Sequence, residues 1–227
     1  LIETRLEGAD RVVNIGAGTG SYEPRNRGFV AVEPSAVMLA QRPAGSAPAI
    51  QAVAEALPFV DSSFDLAMGI LTVHHWTDWR QGLREAMRVS GGNVLLLTWF
   101  GFNRSFWLTD YFPQINSLDN ARFPTEQDYR DLLGNFDSVP VPIPHDCTDG
   151  FMCAYWRRPG AYLDPGVRNN ISTFALFDGQ ERGLRALDED LASGRWLERY
   201  GELMAMDNCD FGYKLLRTRD GQGAQDA

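Results

Sequence analysis

Short β-rich runs alternate with helical patterns over the first hundred residues, and this alternation restricts the possible folds more than any other feature of the sequence. Strands that alternate with helices are typical of a parallel sheet with crossover helices. We therefore expect an α/β fold with a doubly wound, mainly parallel sheet. The expected strands are apolar runs bounded by turn residues: Arg11–Ile15, Gly28–Val32, Ala49–Val53, Phe64–Leu71 and Asn93–Trp99.

Two helices are predicted from local spacing. Trp79, Leu83 and Met87 recur every four residues between polar side chains, which predicts an amphipathic helix of about three turns. Thr125 and Asp128 have the spacing of a capping box, in which two side chains satisfy backbone groups at the start of a helix. A short helix is therefore expected to begin after Thr125.

The second half of the chain has a less regular pattern. Residues 151–206 are mainly helical in pattern, and the prolines around residues 139–143 favour an edge strand or a stiff extended segment. A last strand is expected at residues 211–216, followed by a frayed polar tail from Thr218. The expected organisation is a single domain of residues 1–227, with a core of residues 9–147 and 207–218 and a helical lid or insert at about residues 148–206.

Composition limits the kinds of partner this chain can have. Its 30 acidic and 21 basic residues give a net charge of −9, which disfavours nucleic acid as a partner because that binding depends on neutralising phosphates. A small-molecule partner is expected instead, with the protein a monomer or a homodimer. No apolar run approaches the roughly 18 residues needed to span a bilayer.

Cysteine usage and the N-terminal residues indicate a cellular location. Cys147, Cys153 and Cys209 are too few and too scattered for a disulfide framework or a CxxC zinc site. Residues 1–7 include acids where a signal peptide would have a basic segment before an apolar run. A cytoplasmic protein is therefore expected.

A glycine-rich loop follows the first expected strand and is the first sign of a ligand site. Gly16, Gly18 and Gly20 have a GxGxG spacing, and Glu33 ends the second strand, where an acid can accept hydrogen bonds from both hydroxyls of a ribose. A nicotinamide site would place a glycine at position 21, where this chain has Ser21. Three interpretations of the loop remain open: a site for a nicotinamide cofactor, a site for a nucleoside ligand without a pyrophosphate, or an ordinary turn that binds no ligand.

Several segments together resemble a known family. They are Val12–Gly20, Ala31–Ser35, Ala54–Phe59, Ser63–Asp65 and His74–Trp76, which occur in the family's order and spacing within residues 11–98. The chain is similar in these segments to class I S-adenosylmethionine-dependent methyltransferases, in the branch that includes ubiquinone and menaquinone C-methyltransferases. The resemblance implies a Rossmann-like fold and S-adenosylmethionine as cofactor, with S-adenosylhomocysteine as product.

The same resemblance implies a set of cofactor-binding residues. The glycine loop would line the methionine and ribose portion, the acid after the second strand would hold the ribose, and the segment after the third strand would border the adenine. The implied residues are Asn14, Gly16, Ala17, Gly18, Gly20, Glu33, Pro34, Ala54, Glu55, Ala56, Ile70 and Leu71.

Two of these positions depart from the family pattern. Many relatives have an acid where Asn14 stands, near the cationic methionine end, and an aspartate where Val53 stands, to accept from the adenine amino group. Val53 cannot accept a hydrogen bond through its side chain, so Glu55 or a backbone carbonyl would have to do so. These departures keep open a non-catalytic domain that binds S-adenosylmethionine or S-adenosylhomocysteine for regulation.

All three histidines are expected beyond the carboxyl ends of strands, where ligands bind in open α/β sheets. A histidine titrates near neutral pH, so it can remove a proton from an acceptor as the methyl group moves. His75 is the first candidate for this role and His74 the second; packing or helix capping is the alternative for both. The spacing of His145 and its neighbours matches no compact metal site, so no metal is predicted.

Aromatic residues in two segments expected to cover the cofactor pocket, residues 106–112 and 155–156, favour a flat or hydrophobic methyl acceptor. The expected function is therefore methyl transfer from S-adenosylmethionine to an oxygen, nitrogen or carbon of a small organic molecule. The less favoured enzyme is an NAD-dependent oxidoreductase. The residues expected to contact the acceptor are Trp76, Trp107, Tyr111, His145 and Tyr155.

Overall fold

The computed structural model describes residues 2–24 and 28–218 of the chain. Its strands form a seven-stranded sheet in the order β3-β2-β1-β4-β5-β9-β6 and a separate pair, β7-β8. The strands are β1 (Arg11–Ile15), β2 (Gly28–Val32), β3 (Ala49–Ile50), β4 (Leu66–Ile70), β5 (Val94–Trp99), β6 (Phe136–Pro140), β7 (Ile143–Pro144), β8 (Asn208–Cys209) and β9 (Tyr213–Thr218).

The first five strands are parallel, which confirms the predicted doubly wound α/β fold. β1 pairs with β2 on one side and with β4 on the other, β2 also pairs with β3, and β4 also pairs with β5. The chain therefore reverses its direction of winding between β1 and β4, where open α/β sheets bind their ligands. β9 is antiparallel to β5, since Val94 at the start of β5 donates to Thr218 Oγ1 at the end of β9, at 2.8 Å.

Nine α-helices occur in the described residues, several of them single turns. They are α1 (Ile2–Arg5), α2 (Ala36–Ala40), α3 (Trp79–Ser90), α4 (Leu108–Tyr111), α5 (Gln114–Arg122), α6 (Glu126–Leu133), α7 (Pro165–Asn169), α8 (Glu181–Ser193) and α9 (Arg195–Tyr200). Four 3₁₀ helices accompany them, at Val73–His75, Pro159–Leu163, Ser172–Leu176 and Gly201–Ala205.

Helix α3 forms where the sequence predicts it. Asp78 caps its first turn by accepting from the Gln81 N–H at 3.0 Å, and Gly91 ends it in a left-handed conformation with φ of 60°. Leu83 and Val89 are buried against the sheet, in the same apolar cluster as residues of β1, β4 and β5. Every residue of β4 and β5 is buried, as expected for central parallel strands.

The chain divides into two compact units. One contains the chain up to Phe100, Phe123–Val139 and the chain from Lys214, and it includes almost the whole sheet. The other contains Gly101–Arg122 and Pro140–Tyr213, and it is mainly helical. The expected lid at residues 148–206 falls inside the second unit, which begins earlier in the chain.

Five strands have bounds that differ from the sequence predictions. β4 begins at Leu66 and ends at Ile70, and β5 begins at Val94, so both are slightly shorter than expected. β3 ends at Ile50 rather than Val53, because its neighbour β2 ends at Val32. The edge strand is Phe136–Pro140 instead of residues 139–143, and no strand crosses the prolines at 140 and 142, which lack an N–H. The last strand begins two residues later than expected and includes Thr218; the predicted tail after it lies outside the described residues.

Within residues 2–24 and 28–218, every helix is too short or too polar to cross a bilayer.

Candidate active site

The glycine loop lies directly after β1 and is bonded to the end of β2. The N–H groups of Gly16 and Ala17 both donate to the carbonyl of Val32, at 2.8 and 3.0 Å. Gly16, Gly18 and Gly20 have φ of 69°, 53° and 91°, a region that side chains disfavour. The loop therefore needs its glycines for backbone conformation, as the GxGxG pattern predicts.

Glu33 is buried and its carboxylate faces this loop. One oxygen, Oε2, accepts from the Gly18 N–H at 2.9 Å, and Oε1 accepts from the Ser35 N–H at 2.9 Å. A carboxylate oxygen can accept two hydrogen bonds, so with respect to the described residues each oxygen keeps capacity for a ligand hydroxyl. Glu33 is thus fixed in position by two backbone N–H groups.

Gly18 has open space on one side as far as residues 2–24 and 28–218 are concerned. Within that part of the chain, a Cβ added there would have only the Met38 sulfur within 4 Å, at 3.8 Å. Met38 belongs to α2 and is exposed, which places an apolar side chain beside an accessible stretch of backbone. The sequence analysis did not select Met38, because an apolar helix residue has no motif that separates a ligand contact from core packing.

Asn14 is buried in β1 and bonded to a residue that the sequence analysis missed. Its Nδ2 donates to Glu23 Oε1 at 3.0 Å, and Glu23 Oε2 forms an ion pair with Arg42 at 2.5 Å. Glu23 and Arg42 are 19 residues apart in the chain and belong to no recognised motif. The structure therefore places a carboxylate next to Asn14, although the strand itself has none.

The segment expected to border the adenine is tied to α3. Glu55 Oε1 accepts from the Asp78 N–H at 3.0 Å, and Leu57 N donates to Glu85 Oε2 at 2.9 Å. Ala54 is buried and Ala56 is exposed. Both hydrogen bonds fix the segment against the helix. The Glu55 carboxylate is therefore already bonded to the protein backbone at Asp78.

The carboxyl end of β4 contains an unusual backbone conformation. Ile70 is buried, and Leu71, the next residue, has φ of +50°. Residues with side chains enter this region at a cost of about 1–3 kcal/mol, and such residues cluster at functional sites. The Leu71 N–H donates to the Leu97 carbonyl at 2.9 Å, which helps to hold the residue in place.

Thr72 and Trp76 pack tightly between the glycine loop and α3. A Cβ on Gly16 would lie 1.9 Å from Thr72 Oγ1, and the same oxygen accepts from Trp76 Nε1 at 3.2 Å. A Cβ on Gly82, in α3, would lie 2.4 Å from the Trp76 ring. Trp76, predicted to contact the acceptor, is thus held by packing on the helix and remains partly exposed.

His74 and His75 lie in the 3₁₀ turn after β4, and their ring centroids are 4.0 Å apart. His74 is half-buried and stacks on Phe123, with centroids 4.0 Å apart and planes at 22°. His75 is exposed. Of the two candidate bases, His75 therefore has the freer access to a reactant, and His74 has the more rigid environment.

The other residues expected to contact an acceptor belong to the second unit. Trp107 is buried and donates from Nε1 to the Trp156 carbonyl at 2.8 Å. His145 and Tyr155 are half-buried; the His145 N–H donates to the Asp207 carbonyl at 2.9 Å, and the Tyr155 ring lies 4.7 Å from the Arg158 guanidinium carbon.

Tyr111, also in the second unit, donates its hydroxyl proton to Asp190 Oδ2 at 2.8 Å. Burial and this hydrogen bond raise the pKa of Tyr111 well above its usual value. The hydroxyl is therefore a protonated donor that already has a partner, which makes it unsuited to act as a base.

The cysteines and histidines do not form a metal site in the described part of the chain. Within residues 2–24 and 28–218, no group of three or more His, Cys, Asp or Glu side chains is arranged to hold a metal ion. Cys147, Cys153 and Cys209 are free thiols, and the last two are buried.

The sheet order, the glycine loop and the acid after β2 together define a Rossmann-like, class I methyltransferase fold. A family model described as a methyltransferase domain matches residues 13–96. A solved structure from Anabaena variabilis, provisionally assigned to methyl transfer in an antibiotic biosynthesis pathway, is 34% identical with a TM-score of 0.85, covering 92% of this chain and 90% of that one. The chain therefore belongs to the S-adenosylmethionine-dependent methyltransferase family.

Two further relatives are more distant. An S-adenosylmethionine-dependent methyltransferase of Thermotoga maritima, suggested to be a histamine N-methyltransferase, is 25% identical with a TM-score of 0.50, over 63% of this chain and 71% of that one. The uncharacterized protein YafE of Escherichia coli is 39% identical over 49 residues. That match covers 21% of this chain and 24% of YafE, so the chain spans only about a quarter of that curated relative.

The residues at the strand ends fit S-adenosylmethionine. Glu33 offers acceptor capacity for two ribose hydroxyls, and the open backbone at Gly18 allows a ligand to approach closely. Both features lie at the carboxyl ends of β1 and β2, next to the reversal in winding where such folds bind nucleosides.

Proposed function

We propose that this protein transfers the methyl group of S-adenosylmethionine to an oxygen, nitrogen or carbon of a small organic acceptor. The main observation in support is the buried Glu33 carboxylate, which is hydrogen-bonded to Gly18 and retains capacity for a ribose. The relatives from Anabaena and Thermotoga are assigned to antibiotic biosynthesis and to histamine, and both assignments favour a small acceptor here.

In this proposal the loop and its neighbours bind and orient the cofactor. Glu33 accepts from the ribose, with Pro34 beside it, and the backbone of residues 16–20 contacts the ribose and methionine portions. Asn14, Ile70 and Leu71 border the methionine end, and residues 54–56 border the adenine. When bound, the cofactor supplies a methyl group already activated on a sulfonium, so the protein contributes mainly alignment and exclusion of water.

A base is needed when the acceptor atom starts protonated. His75 is proposed to take that proton on a ring nitrogen while the acceptor atom forms its bond to the methyl carbon and the electron pair of the broken bond stays on sulfur. Its exposure on the turn after β4 favours it over His74, whose ring stacks on Phe123. His74 remains the second candidate.

Calorimetric titration tests which cofactor the protein binds. Wild-type protein is titrated with S-adenosylmethionine, S-adenosylhomocysteine and NAD, beside Glu33→Ala and a control, Glu126→Ala, whose carboxylate pairs with Arg130 on α6. We expect micromolar binding of both sulfur compounds, no heat from NAD, and at least about a tenfold weaker affinity in Glu33→Ala alone. Wild-type protein that binds neither sulfur compound would contradict the proposal.

Histidine variants test the base. With an acceptor found by screening phenols, amines and activated carbon acids, His75→Ala should lower turnover by about 10²–10⁴-fold and leave the affinity for S-adenosylhomocysteine nearly unchanged. His74→Ala should have a smaller effect on turnover. Unchanged turnover in both variants would exclude both residues as the base.

Two alternative functions give different results in these experiments. A regulatory domain, which the departures at Asn14 and Val53 favour, would bind the cofactor and turn over no acceptor. An NAD-dependent oxidoreductase would respond to NAD, although Ser21 replaces the third glycine of that motif.

Further features of the proposal concern the acceptor and the protein's location. Trp76, Trp107, Tyr111, His145 and Tyr155 remain the proposed acceptor contacts, and a closer relation to ubiquinone and menaquinone C-methyltransferases remains a hypothesis. Nucleic acid is not a proposed partner, given the net charge of −9. A cytoplasmic location and a monomeric or homodimeric state complete the proposal.

A further inference from the structure

A buried ion pair lies beside the glycine loop and has no part in the function proposed above. Arg42 Nη2 and Glu23 Oε2 are 2.5 Å apart, and their side chains are only 6% and 5% exposed. Charged side chains are rarely buried to this extent unless they are paired and further hydrogen-bonded, because desolvation is costly. Both partners have such additional bonds.

Arg42 connects three parts of the chain through its guanidinium group. Besides Glu23, it donates from Nη1 to the Gly18 carbonyl and from Nη2 to the Ala47 carbonyl, both at 3.3 Å. Glu23 in turn accepts from Asn14 Nδ2 at 3.0 Å. The guanidinium group is thus fixed by the ion pair while one of its nitrogens contacts the glycine loop.

Hydrogen bonds consequently fix both the N–H and the carbonyl group of Gly18. Its N–H donates to Glu33 at 2.9 Å, and its carbonyl accepts from Arg42 at 3.3 Å. A glycine has few steric limits on its backbone angles, so hydrogen bonds must determine the conformation of Gly18. Gly20 makes room for this arrangement, because a Cβ there would lie 3.1 Å from Arg42 Nη1.

The described part of the first crossover, residues 17–24, contains turns and irregular backbone and no helix. Crossovers between parallel strands usually contain a helix. A helix beginning in the loop would fix its backbone by its own hydrogen bonds. Here the buried pair connects Glu23, in the crossover, to the carbonyl of Gly18.

We propose that Arg42, anchored by Glu23 and Asn14, is a positioning residue that sets the conformation of Gly18 and, through it, the orientation of Glu33 toward the cofactor. This inference rests on the proposed function. In this proposal Arg42 acts on the cofactor through the backbone of Gly18. A lysine keeps the charge but has one nitrogen, which cannot reproduce the planar set of donors that joins Glu23, Gly18 and Ala47.

The test compares melting temperature with S-adenosylhomocysteine affinity. Arg42→Lys should keep the fold and weaken the affinity by about tenfold or more. The double variant Glu23→Gln with Arg42→Met removes both charges, so it should recover most of the melting temperature lost on breaking the pair, but not the affinity. Arg11→Lys is the control, since Arg11 pairs with Asp65 at the opposite end of β1.

The outcomes separate this inference from the proposed function. If wild-type protein fails to bind S-adenosylhomocysteine, the proposed function is wrong. If wild-type protein binds and either Arg42→Lys or the double variant binds equally well, the proposed function stands and the role of Arg42 is wrong. If Arg42→Lys does not fold, the affinity of the double variant tests the role of Arg42, because the double variant leaves no unpaired buried charge and is expected to fold.

Discussion

The three glycines of the loop have different structural roles, although they occupy equivalent positions in the GxGxG pattern of the sequence. Gly16 is the most constrained, since a Cβ there would lie 1.9 Å from Thr72 Oγ1. Among the residues that the structure describes, a Cβ added to Gly18 would lie nearest to Met38, and one added to Gly20 would lie nearest to Arg42. Only the surroundings of each residue separate a packing role from a ligand-facing one.

Gly16→Ala should therefore be far more harmful than an alanine at another left-handed glycine. Gly8→Ala is the matched control, because Gly8 has φ of 81° and no atom of the described residues would lie within 4 Å of an added Cβ. Both variants incur the left-handed penalty of about 1–2 kcal/mol, and Gly16→Ala should lose roughly 1–3 kcal/mol more from the overlap with Thr72. Urea denaturation measures the difference, and equal losses would contradict the packing role of Gly16.

At the scale of elements, α6 shows how a local motif positions a residue of the core. Thr125 Oγ1 accepts from the Asp128 N–H at 3.1 Å, and the Thr125 N–H donates to Asp128 Oδ2 at 2.9 Å, which confirms the predicted capping box. The helix places Tyr129 in the core, where its hydroxyl lies 3.1 Å from Thr98 Oγ1 in β5.

Removing the cap should weaken the fold by a modest amount. Thr125→Ala loses the hydroxyl that accepts from Asp128 N–H, so the free energy of unfolding should fall by about 1 kcal/mol. Thr125→Ser keeps the hydroxyl and should stay within about 0.5 kcal/mol of wild type. Denaturant titration followed by circular dichroism measures both, and an alanine variant as stable as wild type would show that the box contributes nothing.

At the scale of the whole molecule, several carboxylates are stabilised in their charged form. The hydrogen bond from Arg11 holds the pKa of Asp65 below its usual value, and that from Arg88 does the same for Glu85. Burial has the opposite effect on Asp119, whose pKa is raised despite a hydrogen bond from Thr173. The carboxylates with a lowered pKa contribute to the free energy of unfolding only while they are ionised.

The stability of the protein should consequently fall in acid. A carboxylate with a depressed folded pKa contributes its full stability above its unfolded pKa, 4.5 for Glu85, and loses it as the pH falls through the folded value. The urea midpoint should drop between pH 6 and about pH 3. Glu85→Gln should be less stable at pH 6, and its urea midpoint should fall less on acidification than that of the wild type. A wild-type midpoint that rises on acidification would contradict the stabilising role of the ionised carboxylates.

The sequence correctly predicted the order of the first five strands, the helices α3 and α6, and the position of the glycine loop after β1. Apolar runs, turn residues and the 3.6-residue helical period act over a few positions, so β1, β2, β4, β5 and α3 could be located from neighbouring residues alone. The family resemblance placed the glycine loop and Glu33 at adjoining strand ends, which the structure bears out in geometry. The predicted length of β3 was wrong, because a strand ends where its partner ends. The predicted position of β6 was wrong, because the prolines at 140 and 142 lack an N–H.

The sequence by itself determined the parallel strands β1, β2, β4 and β5 and the glycine loop after β1, because these depend on local hydrophobic and turn patterns. Only the tertiary structure decided which polar side chains meet. Glu23 and Arg42 pair across 19 residues, and Glu55 accepts a hydrogen bond from the backbone of Asp78, more than twenty residues later. Such contacts depend on where folding brings distant segments together, and burial makes them specific, since a charge removed from water must find a partner.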